Sequence, residues 1–251
     1  KSNKIKSLGI SDTSNLCGAL EFAEKISKAG TQPIIGTQIN LLYDNNIGKI
    51  SLYATSETGY KNLTKLSSLS YLNNKGSHDP CCEIEDLISN NQDLILLTGN
   101  YTNFFGKLFY GNKIKVIEKI ISNIKNSFVD RFYLEIQRHG EIKETNYENY
   151  LLKISSDFDL PLIATQEVYY MDPEMSEAHD ALICIGEKKF IDDPNRFRYN
   201  NQHYIKKSEE LKDLYKDIPE ALENNYNFPF RFNFKPKKSK PILPSINYNK
   251  E

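Results

Sequence analysis

Short apolar segments alternate with longer amphipathic segments along most of this chain, and this alternation limits the folds open to it. Residues 5–11 and 33–42 are typical of buried strands, and residues 16–26 between them carry apolar side chains at helical spacing. Strands that alternate with helices predict a parallel sheet joined by right-handed crossovers. Six or seven such units are expected to close into a barrel, whose chemistry collects where the strands end.

The rest of the chain continues this pattern. Asn45, Asn46 and Gly48 predict a hairpin-like turn after the second strand. Residues 208–225 predict an amphipathic helical stretch with a Pro at a helix–helix corner. In the helix predicted at 173–185, Ala178, Ala181 and Leu182 are expected on the inner side. Further strands are predicted at 49–55, 93–98, 130–138 and 161–165, and further helices at 59–72, 83–89, 103–110, 113–126 and 145–158.

Length and charge restrict the function classes. A chain of 251 residues with 39% apolar residues can bury one substantial core, so a single α/β domain is the default. The net charge of −1 gives no overall field that would attract nucleic acid or an anionic membrane. Because no apolar run approaches the roughly 20 residues needed to span a bilayer, we expect a cytoplasmic protein with no membrane partner.

The four cysteines are too few and too irregularly spaced for a disulfide framework, so free thiols are expected. His78 with the adjacent Cys81 and Cys82 allows a partial zinc site, but neighbouring cysteines lack the C-x2-C spacing of tetrahedral sites. The alternative is a surface loop rich in turn-forming residues. We favour the loop.

Seven phrases resemble, in the same order, the PHP (polymerase and histidinol phosphatase) domain of bacterial DNA polymerase III α subunits. The resemblance runs from residue 5 to residue 246 and implies a distorted seven-stranded (β/α) barrel at 1–226, with a connector toward the polymerase palm at 227–251. It also implies that the family's first strand, with its H-x-H motif, lies upstream of Lys1 and that the palm lies beyond the end. The phrases are SDTSNLCGALEF, ETGYKNLTKLSS, DRFYLEIQRHG, LPLIATQEVYY, AHDALICIG, DIPEALENN and FKPKKSKPILP.

The resemblance also implies where a metal site would lie. Active PHP domains hold up to three divalent metals in a ring of His, Asp, Glu and Cys ligands at the strand ends, where the metals activate water for attack on a phosphoester. The corresponding positions in this chain are Asp12, Thr13, Gln38, Lys49, Asn100, His139, Glu167 and Tyr169.

Most of these positions have lost their ligand. Thr13, Lys49 and Tyr169 stand where the family has His, Gln38 replaces a Glu, and Asn100 replaces a Cys. Hydroxyl and amide groups do not offset the charge of a dication, and an ammonium repels it. We therefore predict a degenerate site with no bound metal and no catalytic residue. The remaining weak metal candidates are Asp12, His139 and Glu167.

Simpler roles compete for the retained residues. The chain has only four histidines, which argues against a His-rich metal site. His179, in a predicted helix, is interpreted as a packed or capping residue. For His139 the sequence leaves a structural role and residual ligation open. Asp12 could equally cap the turn at Ser14 and Asn15, and either of these two could cap the first helix.

The end of the chain combines aromatic and basic residues. Phe228, Phe230, Phe232 and Phe234 alternate with polar residues, which is typical of a half-buried strand, and the family implies a connector, poorly ordered in isolation, that packs on the palm. The basic residues that follow would also suit a single nucleic-acid strand. They are Lys235, Lys237, Lys238 and Lys240.

The function implied by the resemblance is that of a structural segment of a replicative DNA polymerase. The parent would extend a primed template from dNTPs with Mg²⁺, whereas this segment would need no cofactor and would reach DNA only through other parts of the parent. It would dock the proofreading exonuclease subunit beside other holoenzyme subunits. The alternatives are a metal-dependent phosphoesterase or 3′–5′ exonuclease with residual activity, and a stand-alone PHP protein. The phrases ETGYKNLTKLSS and PKKSKPILP argue against the last.

Overall fold

Seven strands of the described part of the chain form one curled, mixed sheet that positions the strand ends. The structure is a computed structural model that describes residues 5–73 and 79–239. The strands are β1 (Ser7–Thr13), β2 (Gln32–Tyr43), β3 (Asn46–Ala54), β4 (Cys81–Glu83), β5 (Leu94–Leu97), β6 (Phe132–Ile136) and β7 (Leu162–Ala164).

Helices follow most of the strands and cover the outer side of the sheet. This alternation makes the fold a mixed α/β sheet curled like part of a distorted (β/α) barrel. The predicted Pro corner is confirmed as the break between the eighth and ninth helices. The helices are α1 (Ala19–Lys28), α2 (Glu57–Leu72), α3 (Ile84–Ser89), α4 (Phe104–Tyr110), α5 (Ile114–Phe128), α6 (Ile142–Phe158), α7 (Ser176–Glu187), α8 (Ser208–Leu214) and α9 (Pro219–Asn227).

The strand order is β1-β2-β3-β5-β6-β7, with β4 paired to β2 beyond the end of β1. The predicted hairpin between β2 and β3 is confirmed, and the predicted parallel sheet is interrupted at β3, which is antiparallel to both of its neighbours. The cause is a two-residue hairpin loop at Asp44 and Asn45, whose φ angles of 45° and 60° suit a tight turn. A loop of two residues can only return the chain antiparallel.

The main core lies between the sheet and its outer helices. Leu52 of β3, Leu96 of β5 and Leu134 of β6 are fully buried there, together with Leu63 of α2 and Ile120 of α5. The opposite, concave face of the sheet carries a smaller apolar cluster, whose strand residues are Ile34, Ile95, Leu97, Tyr133 and Ile163.

The segment after α9 packs on this concave face. Phe228 and Phe232 belong to its cluster, and Phe228 makes edge contacts with Tyr53 and Tyr133. The predicted strand was wrong, because residues 228–231 form a 3₁₀ helix that turns Phe230 outward, 78% exposed. The domain boundary between 226 and 227 stays a prediction, and so does the order of the tail, because residues 240–251 lie outside the described part of the chain.

The cysteine-rich segment is partly a strand rather than the loop that we predicted. Cys81–Glu83 pairs with β2, and Cys82 is buried and donates from Sγ to the Leu66 carbonyl at 3.2 Å. Burial raises the pKa of the Cys82 thiol to about 12, so it remains protonated. All four cysteines are free thiols, as predicted. His78, the third member of the zinc interpretation, lies outside the described residues.

Two helical predictions need correction. α1 begins at Ala19, after Ser14 and Asn15, and its N-cap, Gly18, has no side-chain cap. Asn15 instead accepts the Cys17 N–H at 2.9 Å, one turn before the helix. α7 turns Cys184 inward, which rotates Ala178 and Leu182 outward to exposed positions and leaves Ala181 half-buried.

The edge of the sheet at β7 is covered by α9. Asn224 and Asn225 donate their side-chain amides to the carbonyls of Leu162 and Ala164, both at 2.7 Å. A covered edge does not pair with other chains, so this end of the sheet is closed to edge-to-edge association.

Within the described ranges, no helix combines the length and apolar character needed to cross a membrane.

Candidate functional site

The eight predicted positions lie at one end of the sheet, where the parallel strands finish. Thr13 at the end of β1 pairs with Gln38 of β2, and Lys49 of the antiparallel β3 pairs with Asn40 two residues further along β2. Residues 100, 139, 167 and 169 follow the carboxyl ends of β5, β6 and β7. The sheet therefore places these residues near the carboxyl ends of the parallel strands, where barrel enzymes have their active sites.

The residues from β1, β2 and β3 bond to one another. Lys49 donates from Nζ to Thr13 Oγ1 at 3.3 Å, and Thr13 Oγ1 donates to Gln38 Oε1 at 3.2 Å. This group holds one positive charge and no carboxylate. The Asp12 carboxylate makes no hydrogen bond to any described residue, so it caps neither Ser14 nor Asn15.

A second group joins the ends of β5, β6 and β7. Asn100 donates from Nδ2 to Gln137 at 3.1 Å and to Glu167 Oε2 at 3.3 Å, while its Oδ1 accepts from the backbone and hydroxyl of Thr102. Tyr169 donates to the other Glu167 oxygen at 2.7 Å. Both oxygens of the Glu167 carboxylate thus have protein donors.

His139 is buried and held by Glu144. Its Nδ1 lies 3.0 Å from Glu144 Oε1, and the other carboxylate oxygen accepts the backbone N–H groups of His139 and Glu141. Burial raises the pKa of Glu144, but these hydrogen bonds outweigh burial and hold the pKa below its usual value. Glu144 is therefore a carboxylate, Nδ1 carries the proton, and Nε2 accepts the Glu167 N–H at 3.4 Å.

Aromatic rings fill the space beside His139. The imidazole of His203 stacks on that of His139 with ring centroids 4.1 Å apart, and Tyr169 stacks on His179 at 4.9 Å. Tyr199 bonds the Tyr169 hydroxyl at 2.9 Å. His179 is thus a packed residue, as its helical position predicted.

A buried carboxyl group lies below the second group. Glu135 of β6 accepts the Gly99 N–H at 3.0 Å and the Gln137 amide at 3.0 Å, and the hydroxyl of Thr165 also donates to it. Burial raises the pKa of Glu135, partly offset by these donors. Gln137 donates to Glu135 and accepts from Asn100, so a continuous chain of hydrogen bonds joins the buried Glu135 to the residues at the strand ends.

Several of these residues were missed by the sequence analysis, among them Glu135, Glu144 and His203. Glu135 was detectable as a charge inside the apolar strand FYLEI, and Glu144 as the second acidic residue of the box that opens α6. His203 lies in the irregular segment YNNQHY, which carries no local signal.

The predicted metal candidates do not form a ligand set. No group of three or more His, Cys, Asp or Glu side chains in the described ranges is arranged to hold a metal ion. A cavity of about 10 Å³ lies beneath the edge, lined by residues that include Asn100, Glu135 and Gln137, and it has room for about one water molecule. The donors present, a lysine, amides and hydroxyls engaged with each other, do not fit a multinuclear metal centre.

Because His203 is buried, we expect the folded chain to lose stability in acid. Burial, with the nearby His139 and Lys206, lowers the pKa of His203 from 6.5 to about 4. The unfolded chain then takes up this proton near pH 6.5 but the folded chain only near pH 4, so the free energy of unfolding falls as the pH falls through this window. We expect His203→Asn, whose amide can still donate to the Glu167 carbonyl, to flatten the dependence between pH 7 and pH 4.5 in urea unfolding. If the free energy of unfolding changed equally with pH in both proteins, His203 would not be the source of the dependence.

Comparisons with known proteins agree on one family. The model of the PHP domain matches residues 1–139. DNA polymerase III subunit alpha of Caulobacter vibrioides is 35% identical over 97% of this chain and 22% of its own length, and that of Rickettsia bellii is 36% identical over 98% and 21%. The subunit of Escherichia coli is 31% identical over 96% and 21%. The chain spans about a fifth of the length of these relatives. The chain therefore belongs to the PHP domain family.

Proposed function

We propose that this chain is the PHP segment of a bacterial DNA polymerase III α subunit, and that its degenerate metal site serves as scaffold and docking surface. The similarity to α subunits over nearly the whole chain supports the parent. One observation supports the proposal that the site binds no metal. The polar side chains at the strand ends donate and accept hydrogen bonds among themselves, and they do not converge on a common point that a metal ion could occupy.

Charge supports the same conclusion. A dication about 4 Å from an ammonium is repelled by about 8 kcal/mol at an effective dielectric constant near 20. Lys49 places such an ammonium beside Thr13 and Gln38, which carry no charge to offset it. The carboxylate of Glu167, in the second group, already accepts a hydrogen bond on each of its oxygens.

The activity of the parent belongs to the rest of its chain. We propose that the parent adds deoxynucleotides to a primed template with Mg²⁺, and that this segment contributes no catalytic residue and needs no cofactor. Its partners are the proofreading exonuclease subunit and other holoenzyme subunits, in the cytoplasm. A parent that lacks its own nuclease centre gains proofreading only by holding a separate nuclease nearby, which is the role given to this surface.

A second candidate is residual metal-dependent phosphoesterase or 3′–5′ exonuclease activity. The pairing of His139 Nδ1 with the Glu144 carboxylate favours it, because metal-binding histidines commonly donate to a carboxylate in this way. Against it, Nε2 accepts a backbone N–H, and the stacked His203 occupies the face of the ring.

Hydrolysis separates the two candidates. The full-length α subunit would be assayed on bis(p-nitrophenyl) phosphate with added Zn²⁺ or Mn²⁺, beside its His139→Ala variant as the control for contaminating nucleases. We expect the same background rate from both proteins. Turnover by the wild type that disappears in His139→Ala and in Glu167→Ala would refute the silent site and establish a working phosphoesterase.

A further inference from the structure

The inner side of α6 carries a buried hydroxyl group without a hydrogen-bond partner. The buried residues of this helix are Glu144, Tyr147, Leu151 and Ile154, whose spacing places them on one side of it. Tyr147 is only 3% exposed, and its hydroxyl forms no hydrogen bond with any described residue. Because a hydroxyl that is buried without a partner lowers stability, native structures rarely leave one unbonded.

This hydroxyl remains protonated. Burial raises the pKa of Tyr147, and the nearby Tyr150 and Glu135 raise it further. The group is therefore a neutral O–H, which can donate one hydrogen bond and accept others. The missing partner has to accept that hydrogen, because no acceptor in the described part of the chain does so.

Tyr147 lines the small cavity that lies beneath the strand ends. The cavity has a volume of about 10 Å³, and its other walls include Glu135, Gln137 and the apolar Leu151. A volume of this size holds about one water molecule and is too small for a larger ligand. The unbonded hydroxyl and a space that fits one water molecule therefore occur at the same place.

The walls of the cavity also supply acceptors that are only partly used. Glu135 Oε2 accepts one hydrogen bond within the described residues, from the Gly99 N–H at 3.0 Å. Gln137 Oε1 likewise accepts one, from Asn100 Nδ2 at 3.1 Å. Each of these oxygens has a lone pair for a second hydrogen bond. Such walls favour a ligand that brings its own hydrogens.

Water meets these requirements, whereas a metal ion does not. A water molecule can accept the Tyr147 hydrogen and donate its own two hydrogens to acceptors such as Glu135 and Gln137, and buried waters typically make about three such bonds. A metal ion cannot accept a hydrogen bond. In addition, no group of three or more His, Cys, Asp or Glu side chains in the described ranges is arranged to hold one.

We propose that this cavity is a binding site for one ordered water molecule, which joins the Tyr147 hydroxyl to the hydrogen-bonded chain of Glu135, Gln137 and Asn100. The water connects α6 to residues at the carboxyl ends of β5 and β6. It thereby adds a second polar link between this helix and the strand ends, beside the contact of Glu144 with His139. This inference goes beyond the proposed docking function and does not depend on it.

A crystal structure tests the site directly. The full-length α subunit, at a resolution that shows ordered waters, should have one electron-density peak in the cavity. We expect the peak within about 3.2 Å of the Tyr147 hydroxyl and of at least one lining oxygen. A cavity without a peak would overturn the proposal, and so would a peak with the shorter contacts of a metal ion, about 2.0 to 2.6 Å.

Hydrogen exchange of the full-length protein tests the role of the water through Tyr147→Phe, which removes only the hydroxyl. If the hydroxyl binds water, the amides of α6 and β6 should exchange roughly fivefold faster in the variant, as for the loss of one ordinary hydrogen bond. If the hydroxyl has no partner, its removal should instead stabilise this region and slow the exchange. The direction of the change therefore separates the two cases.

The matched control is Tyr150→Phe. The Tyr150 hydroxyl is also buried and unbonded within the described ranges, but Tyr150 does not line the cavity. Its removal should leave the exchange of α6 and β6 unchanged or slow it. Exchange in Tyr147→Phe that is no faster than in the wild type, or that is accelerated equally in both variants, would overturn the proposal.

Discussion

Replacing Gly59 by alanine is expected to lower the free energy of unfolding by about 3 kcal/mol. Gly59 lies in the first turn of α2, where its N–H donates to Ser56 Oγ at 3.2 Å. A methyl group there would lie 2.2 Å from the Asp93 carbonyl oxygen. That carbonyl cannot retreat easily, because it accepts both the N–H and the hydroxyl of Thr55 at 3.0 Å.

The control is another helical glycine. Nothing lies within 4 Å of a methyl group on Gly186 in α7, so Gly186→Ala should raise the free energy of unfolding by about 0.5 to 1 kcal/mol through helix propensity. Urea unfolding of the chain, followed by circular dichroism, measures both. Equal effects of the two substitutions would mean that the close approach of α2 to the loop before β5 is not as described.

Replacing Arg138 by methionine is expected to cost about 3 kcal/mol of unfolding free energy, because it leaves a buried carboxylate without its partner. Arg138 donates to Glu148 on α6 from Nε at 2.9 Å and from Nη2 at 2.5 Å, and to Asp217 at 2.7 Å and 2.8 Å. The Arg138 and Glu148 side chains are only 19% and 14% exposed. The pair holds α6 and the turn before α9 against the end of β6.

A surface pair is the control for this prediction. Lys25 contacts Glu21 on α1 at 2.6 Å, but their side chains are 75% and 71% exposed. Lys25→Met should leave the urea midpoint nearly unchanged, since water and salt screen exposed pairs. If Arg138→Met shifted the midpoint no more than Lys25→Met, the ion pair beside His139 would have no structural role.

Most strands and helices were predictable from local apolar patterns, because runs of buried apolar residues bounded by turn formers identify them. The strands β5 and β7 are short, buried apolar runs, and the break before Pro219 marks α9. The register of β3 was less accessible than its direction, because a turn placed one residue away from Asp44 and Asn45 still predicts a hairpin but not which residues pair.

Features that depend on distant contacts were not predictable. The alternating phenylalanines after α9 predict a strand, yet Phe228 and Phe232 pack on strand residues that lie far earlier in the chain, from Ile34 to Ile163. The outward rotation of Leu182 depends on which side of α7 meets the domain. His203 reaches His139 from an irregular segment 64 residues away, so no local pattern links them.

Some features of the candidate site were likewise predictable from the sequence, and others were not. The resemblance named eight positions, and the structure places them on or just after the strands of one sheet. The groups that hydrogen-bond to them include Gln137 and Tyr199, which belong to no motif, and Glu144, whose one local signal is the capping box of α6. The predicted loss of ligands rests on residue types alone, whereas the hydrogen bonds among these side chains could be found only from the geometry.

Metal content tests whether the residues at the strand ends bind metal ions. The full-length α subunit, equilibrated with Zn²⁺ or Mn²⁺ and dialysed, would be compared by elemental analysis with its His139→Ala and Glu167→Ala variants. We expect the same metal content in all three proteins, because neither residue holds a metal ion in the proposed silent site. Two or three metal ions per chain in the wild type that are lost in both variants would contradict it, and would make the edge of this sheet a working metal centre.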